Sequence, residues 1–223
     1  DTTLDFGSSE QIILHNVSLS SLTAGDFQFK EAAPPVQITN LVMQNGILTA
    51  VVSDTYSNSS IQVTPSGVLI TTADGFNGIT DAARVQFSDA VVAFDVNGTA
   101  GFAYRLYQAA FDRTPDLVGL SANTHLLDLG MTIQQMSAAF VASAEFSNTY
   151  GANISNSQFL TNLYANILDR APDPNGFAGW LHTLDSGQAQ RSDVLIGFSE
   201  SPENHSIVDA KIVTGIVLDP HYV

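Results

Sequence analysis

The sequence predicts an α+β fold in which an N-terminal antiparallel β domain, sandwich or roll-like, is followed by an all-α domain of two duplicated helical units. Three observations support this prediction. Residues 1–98 contain short β-branched or aromatic segments between turn residues. From Thr99 onward, apolar residues recur with a period of about 3.6, as on one face of a helix. Part of this second half occurs twice, so we predict two domains, 1–98 and 99–223, the second built from repeats.

The β domain is predicted to contain at least six short strands. The candidate strands are residues 11–14, 26–29, 37–39, 47–52, 61–63, 68–71, 84–87 and 91–94. Asn45 and Gly46 stand between two apolar segments and are typical of a type I′ hairpin turn. Pro65, Ser66 and Gly67 form a turn signal between two further strands. Short strands at this spacing favour a sandwich or a roll-like layer.

The α domain is predicted to contain three helices in each of two repeats, at about 103–149 and 159–206. The first helix of the first repeat carries an apolar stripe of Ala103, Leu106, Tyr107, Ala110 and Phe111. The matching stripe of the second repeat consists of Phe159, Leu160, Leu163, Tyr164, Ile167 and Leu168. The second helices are expected at about 116–129 and 174–185, and the third at about 132–141 and 189–198. Each repeat needs the other copy to bury its apolar stripes.

The duplication also points to a known family. Residues 106–119 read LYQAAFDRTPDLVG, and residues 163–176, which lie 57 positions later, read LYANILDRAPDPNG. The pattern resembles the bacterial extracellular domain family of unknown function DUF4214, over about residues 99–204. This resemblance implies a place on secreted or surface proteins, often beside RTX repeats, S-layer regions or adhesin regions. It implies no catalytic residues.

A second resemblance concerns the edges of the β domain. Residues 1–7 look like the last turn of the calcium-binding nonapeptide repeats of RTX proteins, and residues 84–95 are similar to the strand pair that follows such repeats. The complete Gly-Gly-x-Gly-x-Asp repeat does not occur in this sequence. The resemblance therefore implies that residues 1–98 flank an RTX array located upstream, and it suggests type I secretion.

Composition and charge limit the possible partners. The net charge of −15 results from seven Lys and Arg residues against 22 Asp and Glu residues, and the few cations are scattered. Such a surface repels nucleic acid and anionic membranes, and no apolar stretch approaches the ~18 residues of a membrane-spanning helix. The chain has no cysteine, which excludes disulfides and thiolate metal sites. An acidic, cysteine-free chain rich in oxygen ligands is typical of secreted proteins stabilised by Ca²⁺, and we expect this here.

The repeated Asp-Arg-x-Pro-Asp motif supplies the candidate calcium ligands. These ligands are Asp112, Asp116, Asp169, Asp173 and Asn175. Helix capping is the favoured interpretation, because Asp116 and Asp173 stand where a helix N-cap is expected and Pro174 suits a first helical position. Ser143 and Ser201 are likewise predicted to be N-caps.

The second repeat also supplies candidate ligand-binding residues. His125 and His182 each precede an aspartate, Asp128 or Asp185, by three positions, which places both side chains on neighbouring turns of one helix face. Trp180 is the only tryptophan, and its counterpart in the first repeat is Asn123. A sugar ring stacks well on such an aromatic side chain, although core packing is the alternative role. For the histidine–aspartate pairs, a local contact within the helix is the alternative role. We predict a ligand site at Trp180, His182 and Asp185.

These observations lead to three hypotheses of function. The leading one is a calcium-stabilised accessory module of a secreted or cell-surface protein that binds an extracellular polysaccharide or another surface component. The alternative is a structural assembly module of a surface layer or adhesin, with self-association of the chain. The least favoured is a polysaccharide hydrolase, which requires two carboxylates about 5 to 9.5 Å apart in a cleft. No catalytic residue is predicted.

Overall fold

The structure, a computed structural model, describes residues 2–5, 11–16, 18–22, 35–73 and 75–222, which belong to two compact units, 1–34 and 35–223. In the first unit, strand β1 (Thr2–Asp5) pairs antiparallel with β2 (Gln11–Leu14). A short 3₁₀ helix follows at Leu19–Ser21. The predicted strand at 11–14 is confirmed, whereas the one predicted at 26–29 lies outside the described residues.

The described strands of the second unit form two sheets. They are β3 (Val36–Gln37), β4 (Leu41–Gln44), β5 (Ile47–Val51), β6 (Ser59–Thr64), β7 (Gly67–Thr72), β8 (Asn77–Thr80), β9 (Arg84–Gln86), β10 (Val91–Ala93) and β11 (Ile216–Leu218). One sheet has the order β11-β10-β9-β5-β4, and the other has the order β3-β8-β7-β6. Most neighbours are antiparallel, but β5 pairs with β9 and β3 pairs with β8 in parallel. The β part is therefore mixed rather than purely antiparallel.

The turn chemistry predicted for the β4–β5 hairpin is confirmed. Asn45 and Gly46 have φ angles of 50° and 81°, so both central residues adopt the positive φ of a type I′ turn. This turn sets the register in which Leu41 pairs with Ala50 and Gln44 pairs with Ile47. The register places Ala50 in the core between the sheets.

The helical part contains four helices in each repeat, and the prediction of three was wrong. The helices are α1 (Thr99–Phe111), α2 (Leu117–Asp128), α3 (Ile133–Val141), α4 (Ala144–Tyr150), α5 (Asn156–Leu168), α6 (Pro174–Asp185), α7 (Arg191–Ser199) and α8 (Pro202–Ile212). Ser143 and Ser201 accept hydrogen bonds from the backbone N–H groups of Phe146 and Asn204. These two serines are the predicted N-caps, and each opens a fourth helix.

The two repeats match helix by helix. The boundaries of α5 and α6 lie 57 positions after those of α1 and α2, and α7 lies 58 positions after α3. The additional residue therefore lies in the loop between α6 and α7. The predicted apolar stripes of α1 and α5 are buried, and α1 packs against both α5 and α7. None of the described helices is long and apolar enough to span a lipid bilayer.

Both faces of the five-stranded sheet are covered within the second unit. Val91 and Ala93 of β10 belong to the same buried cluster as the helices. Val92, between them, belongs to the cluster formed with the four-stranded sheet. Successive side chains of a strand point to opposite faces, so this sheet lies between the helices and the second sheet. The α+β prediction is confirmed as a three-layer arrangement.

Candidate functional site

The Asp-Arg-x-Pro-Asp motif of the first repeat forms a clamp, here called the first clamp, of Tyr107, Arg113, Asp116 and Glu145. Arg113 donates to Glu145 Oε1 at 2.7 Å and to Asp116 Oδ2 at 3.3 Å. The Arg113 guanidinium also lies 4.9 Å from the centre of the Tyr107 ring. Asp116 accepts from Tyr107 at 2.6 Å and, as the N-cap of α2, from the Gly119 N–H at 2.8 Å. The clamp therefore joins α1, the start of α2 and the first turn of α4.

The second repeat reproduces this arrangement in a second clamp of Tyr164, Arg170, Asp173 and Glu203. Arg170 donates to both oxygens of Glu203, at 2.6 and 2.8 Å, and lies 5.0 Å from the centre of the Tyr164 ring. Asp173 caps α6 by accepting from the Gly176 N–H at 2.7 Å. The predicted caps are confirmed in both repeats.

The clamps shift the proton affinities of their members. A hydrogen bond from Tyr107, together with those from Gly119 N–H and Arg113, lowers the pKa of Asp116 to about 2. Burial and the same contact with Asp116 raise the pKa of Tyr107 to about 12. In the second clamp, the Gly176 N–H lowers the pKa of Asp173, and Arg170 lowers that of Glu203. Both clamps thus favour ionised carboxylates and a protonated phenol.

The structure places the other candidate calcium ligands at helix ends. Asp112 and Asp169 are the C-caps of α1 and α5, and both have a left-handed backbone with φ 50° and ψ 41°. Asn175 is exposed in the first turn of α6. Within the described ranges, no three His, Asp or Glu side chains are grouped closely enough to hold a metal ion. The calcium assignment stays a prediction.

The aspartates that follow the repeated histidines have different surroundings. Asp128 is buried and accepts from Arg84 and Thr99. Asp185 is exposed and accepts from Asn156 Nδ2 at 2.9 Å. His182 is exposed on α6. The repeated histidine–aspartate spacing therefore does not create two equivalent sites.

A small cavity lies beside Trp180 and next to the second clamp. This Trp180 cavity, of about 150 Å³, is lined by Tyr164, Leu168, Arg170, Trp180, Gly197, Phe198, Ser201 and Glu203. Trp180 is partly buried, and its ring centre lies 6.1 Å from that of Phe198. Gly197 provides space for the indole, because a Cβ at this position would lie 2.9 Å from the ring. His182 and Asp185 are not among the lining residues.

The sequence did not point to Arg170 and Glu203 as members of a ligand site. Both lie in repeated motifs whose predicted role was helix capping. Their recurrence at matching positions, Arg113 and Glu145, is the signal that could have paired them. The Trp180 cavity therefore combines one predicted residue with two that were not predicted.

Comparison with known proteins gives one match. Neither the curated proteins nor the solved structures yield a match to this chain. The RTX-like resemblance of the N-terminal half stays a prediction. The matched segment runs from within α3 into α8 and includes both Trp180 and the second clamp. The resemblance predicted from the duplication is confirmed in the C-terminal half, where residues 137–208 match the family described as Domain of unknown function (DUF4214).

Proposed function

We propose that this chain is a non-catalytic accessory module of a secreted or cell-surface protein and that it binds polysaccharide at the Trp180 cavity. The observation that carries this proposal is a partly buried tryptophan that borders a cavity together with an arginine and a glutamate. An aromatic face offers an apolar surface to the C–H groups of a sugar ring, while its neighbours hydrogen-bond the hydroxyls.

The polar groups around Trp180 are already held in place. The second clamp holds Arg170 and Glu203 together through two hydrogen bonds, and each carboxylate oxygen has further capacity to accept from a sugar hydroxyl. Among the described residues, the indole N–H has no hydrogen-bond partner, so it can donate to a ligand. Pre-positioned groups lower the entropic cost of binding.

The size of the cavity and its charges favour binding over hydrolysis. Its volume of about 150 Å³ is smaller than drug-sized pockets of ~300–1,000 Å³, so it suits a single ring of a longer chain. Glu203 is the one carboxylate among its described lining residues. Hydrolysis of a glycosidic bond uses two carboxylates. A binding role needs only the aromatic and hydrogen-bonding groups.

The extracellular setting and calcium stabilisation belong to the same proposal. They are supported by composition, since 22 acidic residues face seven cations and the chain has no cysteine. Excess carboxylates make a chain sensitive to divalent cations, which are abundant outside cells. The ligand would then be a component of the extracellular matrix or of a cell surface.

The test is to titrate the full chain with neutral oligosaccharides and to measure affinity by calorimetry. Trp180→Ala should weaken binding at least tenfold, because the stacking surface is lost. Asn123→Ala is the matched control at the corresponding position of the first repeat, where Asn123 donates to the Gly119 carbonyl. Unchanged affinity in Trp180→Ala, with a melting temperature near that of the wild type, would contradict the proposal.

Self-association is a second candidate function, and one feature of the β part favours it. Strand β4 is the outermost strand of its sheet in the described residues. Its Leu41, Val42 and Met43 side chains are exposed, Met43 by 65 %. An exposed apolar edge strand is a template for pairing with a second copy. Light scattering at increasing protein concentration should show dimers, and Val42→Lys should abolish them.

A further inference from the structure

An open cleft lies between the two helical repeats. This inter-repeat cleft, of about 620 Å³, is bordered by Ala138, Val141 and Ala142 at the C-terminal end of α3 and by Asn156, Gln190 and Arg191 near the starts of α5 and α7. One wall is therefore small and apolar, whereas the other presents two amides and a guanidinium. Such a mixture of surfaces suits a ligand with both an apolar face and polar groups.

Arg191 is fixed in this cleft by neutral partners. Its Nε and Nη2 groups donate to Asn156 Oδ1 at 3.2 and 3.1 Å, and Nη2 also donates to the Ile154 carbonyl at 2.5 Å. Its guanidinium lies 5.1 Å from the centre of the Phe159 ring. The side chain is thus held in one orientation. Among the described residues Nη1 has no hydrogen-bond partner, so it can donate to a further acceptor.

Arg191 differs from the other described arginines in its charge balance. Arg84, Arg105, Arg113 and Arg170 each form an ion pair with at least one Asp or Glu. Arg191 has no such pair within the part of the chain that the structure describes. Asp193 accepts instead from the Gln190 N–H, and Asp185 accepts from Asn156.

In a chain of net charge −15, a fixed guanidinium that forms no ion pair with a described carboxylate is unexpected. Lys211 also lacks an ion pair among the described residues, but it is exposed, where water solvates the ammonium group. Arg191 is partly buried and borders a cavity. A planar guanidinium in this position is suited to hydrogen-bond an incoming carboxylate.

We propose that the inter-repeat cleft binds an acidic saccharide, with Arg191 holding the carboxylate of a uronate residue. The Gln190 amide then bonds ring hydroxyls, Asn156 keeps Arg191 in its orientation, and Ala138 and Ala142 cover the apolar face of the ring. The saccharide nature of the ligand rests on the proposed function, whereas the carboxylate rests on Arg191 alone. The cleft and the Trp180 cavity share no lining residue.

The test compares oligogalacturonate and alginate oligosaccharides with methyl-esterified oligogalacturonate, by calorimetry on the full chain. Esterification keeps the ring and removes the charge, so the ester should bind the wild type at least tenfold more weakly. Arg191→Gln should reduce the affinity for the acidic form to that of the ester. Arg191→Lys keeps the positive charge but loses the planar guanidinium that can bond both carboxylate oxygens, so it should give an intermediate affinity.

Outcomes at the two sites can be separated. Trp180→Ala should still bind the acidic oligosaccharide more tightly than its ester. If this variant loses only its affinity for neutral oligosaccharides, the loss concerns the Trp180 cavity and not the inter-repeat cleft. If Arg191→Gln fails to fold, the affinities of the wild type for the acid and for the ester still test whether the cleft binds a carboxylate. Equal affinity for acid and ester, or no binding of either acidic probe, would overturn the proposal.

Discussion

Arg84 and Asp128, 44 residues apart in the sequence, form an ion pair with two hydrogen bonds, at 2.5 and 3.1 Å. Their side chains are only 2 % and 1 % exposed. Arg84 lies on β9 and Asp128 ends α2, so the pair joins the sheet to the first helical repeat. Thr99 donates to Asp128, and Asp95 also binds Arg84, which completes the hydrogen bonding of the buried charges.

Asp128→Asn should destabilise the chain strongly. Removing one partner of a buried ion pair typically costs about 3–5 kcal/mol, and we expect about 3 kcal/mol because Asp95 still faces Arg84. Chemical denaturation monitored by circular dichroism measures this change. Asp185→Asn is the matched control in the second repeat, where the carboxylate is exposed, and it should change stability by less than ~0.5 kcal/mol. Equal effects of the two variants would contradict the structural role of Asp128.

Asp112→Gly should leave stability unchanged or raise it by up to ~1 kcal/mol. Asp112 is held in a left-handed conformation, which glycine adopts without a steric penalty. Thermal unfolding of Asp112→Gly and Asp169→Gly checks this expectation. A loss of more than ~1 kcal/mol would instead mean that the carboxylate itself makes a stabilising contact, such as one with a bound cation.

Stability should fall as the pH decreases from about 4 to about 2. The folded-state pKa of Asp116 is about 2, below its usual value of 3.8, so the unfolded chain binds the proton more readily. The contribution of Asp116 is therefore complete above pH ~4 and is lost as the pH approaches 2. Urea titrations at several pH values should show this slope, and it should become shallower in Asp116→Asn.

Calcium should raise the melting temperature by several degrees relative to excess chelator, because a ligand that binds only the folded state stabilises it. Magnesium at the same concentration should not. Asp173→Ser tests the assigned site, since serine still caps α6 but supplies no carboxylate. A calcium shift that persists in Asp173→Ser would move the site away from the second clamp, and no shift in the wild type would exclude calcium stabilisation.

Gly197→Ala should weaken saccharide binding at the Trp180 cavity without unfolding the chain. The added methyl group would lie 2.9 Å from the indole, so the ring must move. Calorimetry with the oligosaccharide that the wild type binds measures the effect, and we expect a loss of about tenfold. Gly179→Ala on α6, where a Cβ meets no neighbour within 4 Å, is the control. Equal affinities for both variants would argue against ligand contact with the indole.

The features that were predictable from the sequence are those set by local chemistry. The caps at Asp116 and Asp173 follow from a side chain bonding the backbone three residues ahead. The positive φ angles of Asn45 and Gly46 follow from the two residues themselves. Because the motif is duplicated, the same cap recurs in both repeats.

The features that were missed depend on contacts between distant segments. Asp128 and Asp185 occupy equivalent positions, but only Asp128 meets an arginine from the sheet, 44 residues earlier. Strand β11 contains three residues and is defined by pairing with β10, so its sequence alone does not distinguish it from a loop. Helix α4 is only seven residues long, which is too short to show a clear apolar period. Arg191 borders the cleft because α7 packs against α3 and α5, and these contacts are not encoded in the local sequence.

The position of β11 has a consequence for how the chain folds. Leu218 pairs with Val91, so the five-stranded sheet cannot be completed until residue 218 has been synthesised. Contacts of such sequence separation slow folding, because a long loop must close before they form. During synthesis, one side of β10 therefore stays unpaired until this last strand is available.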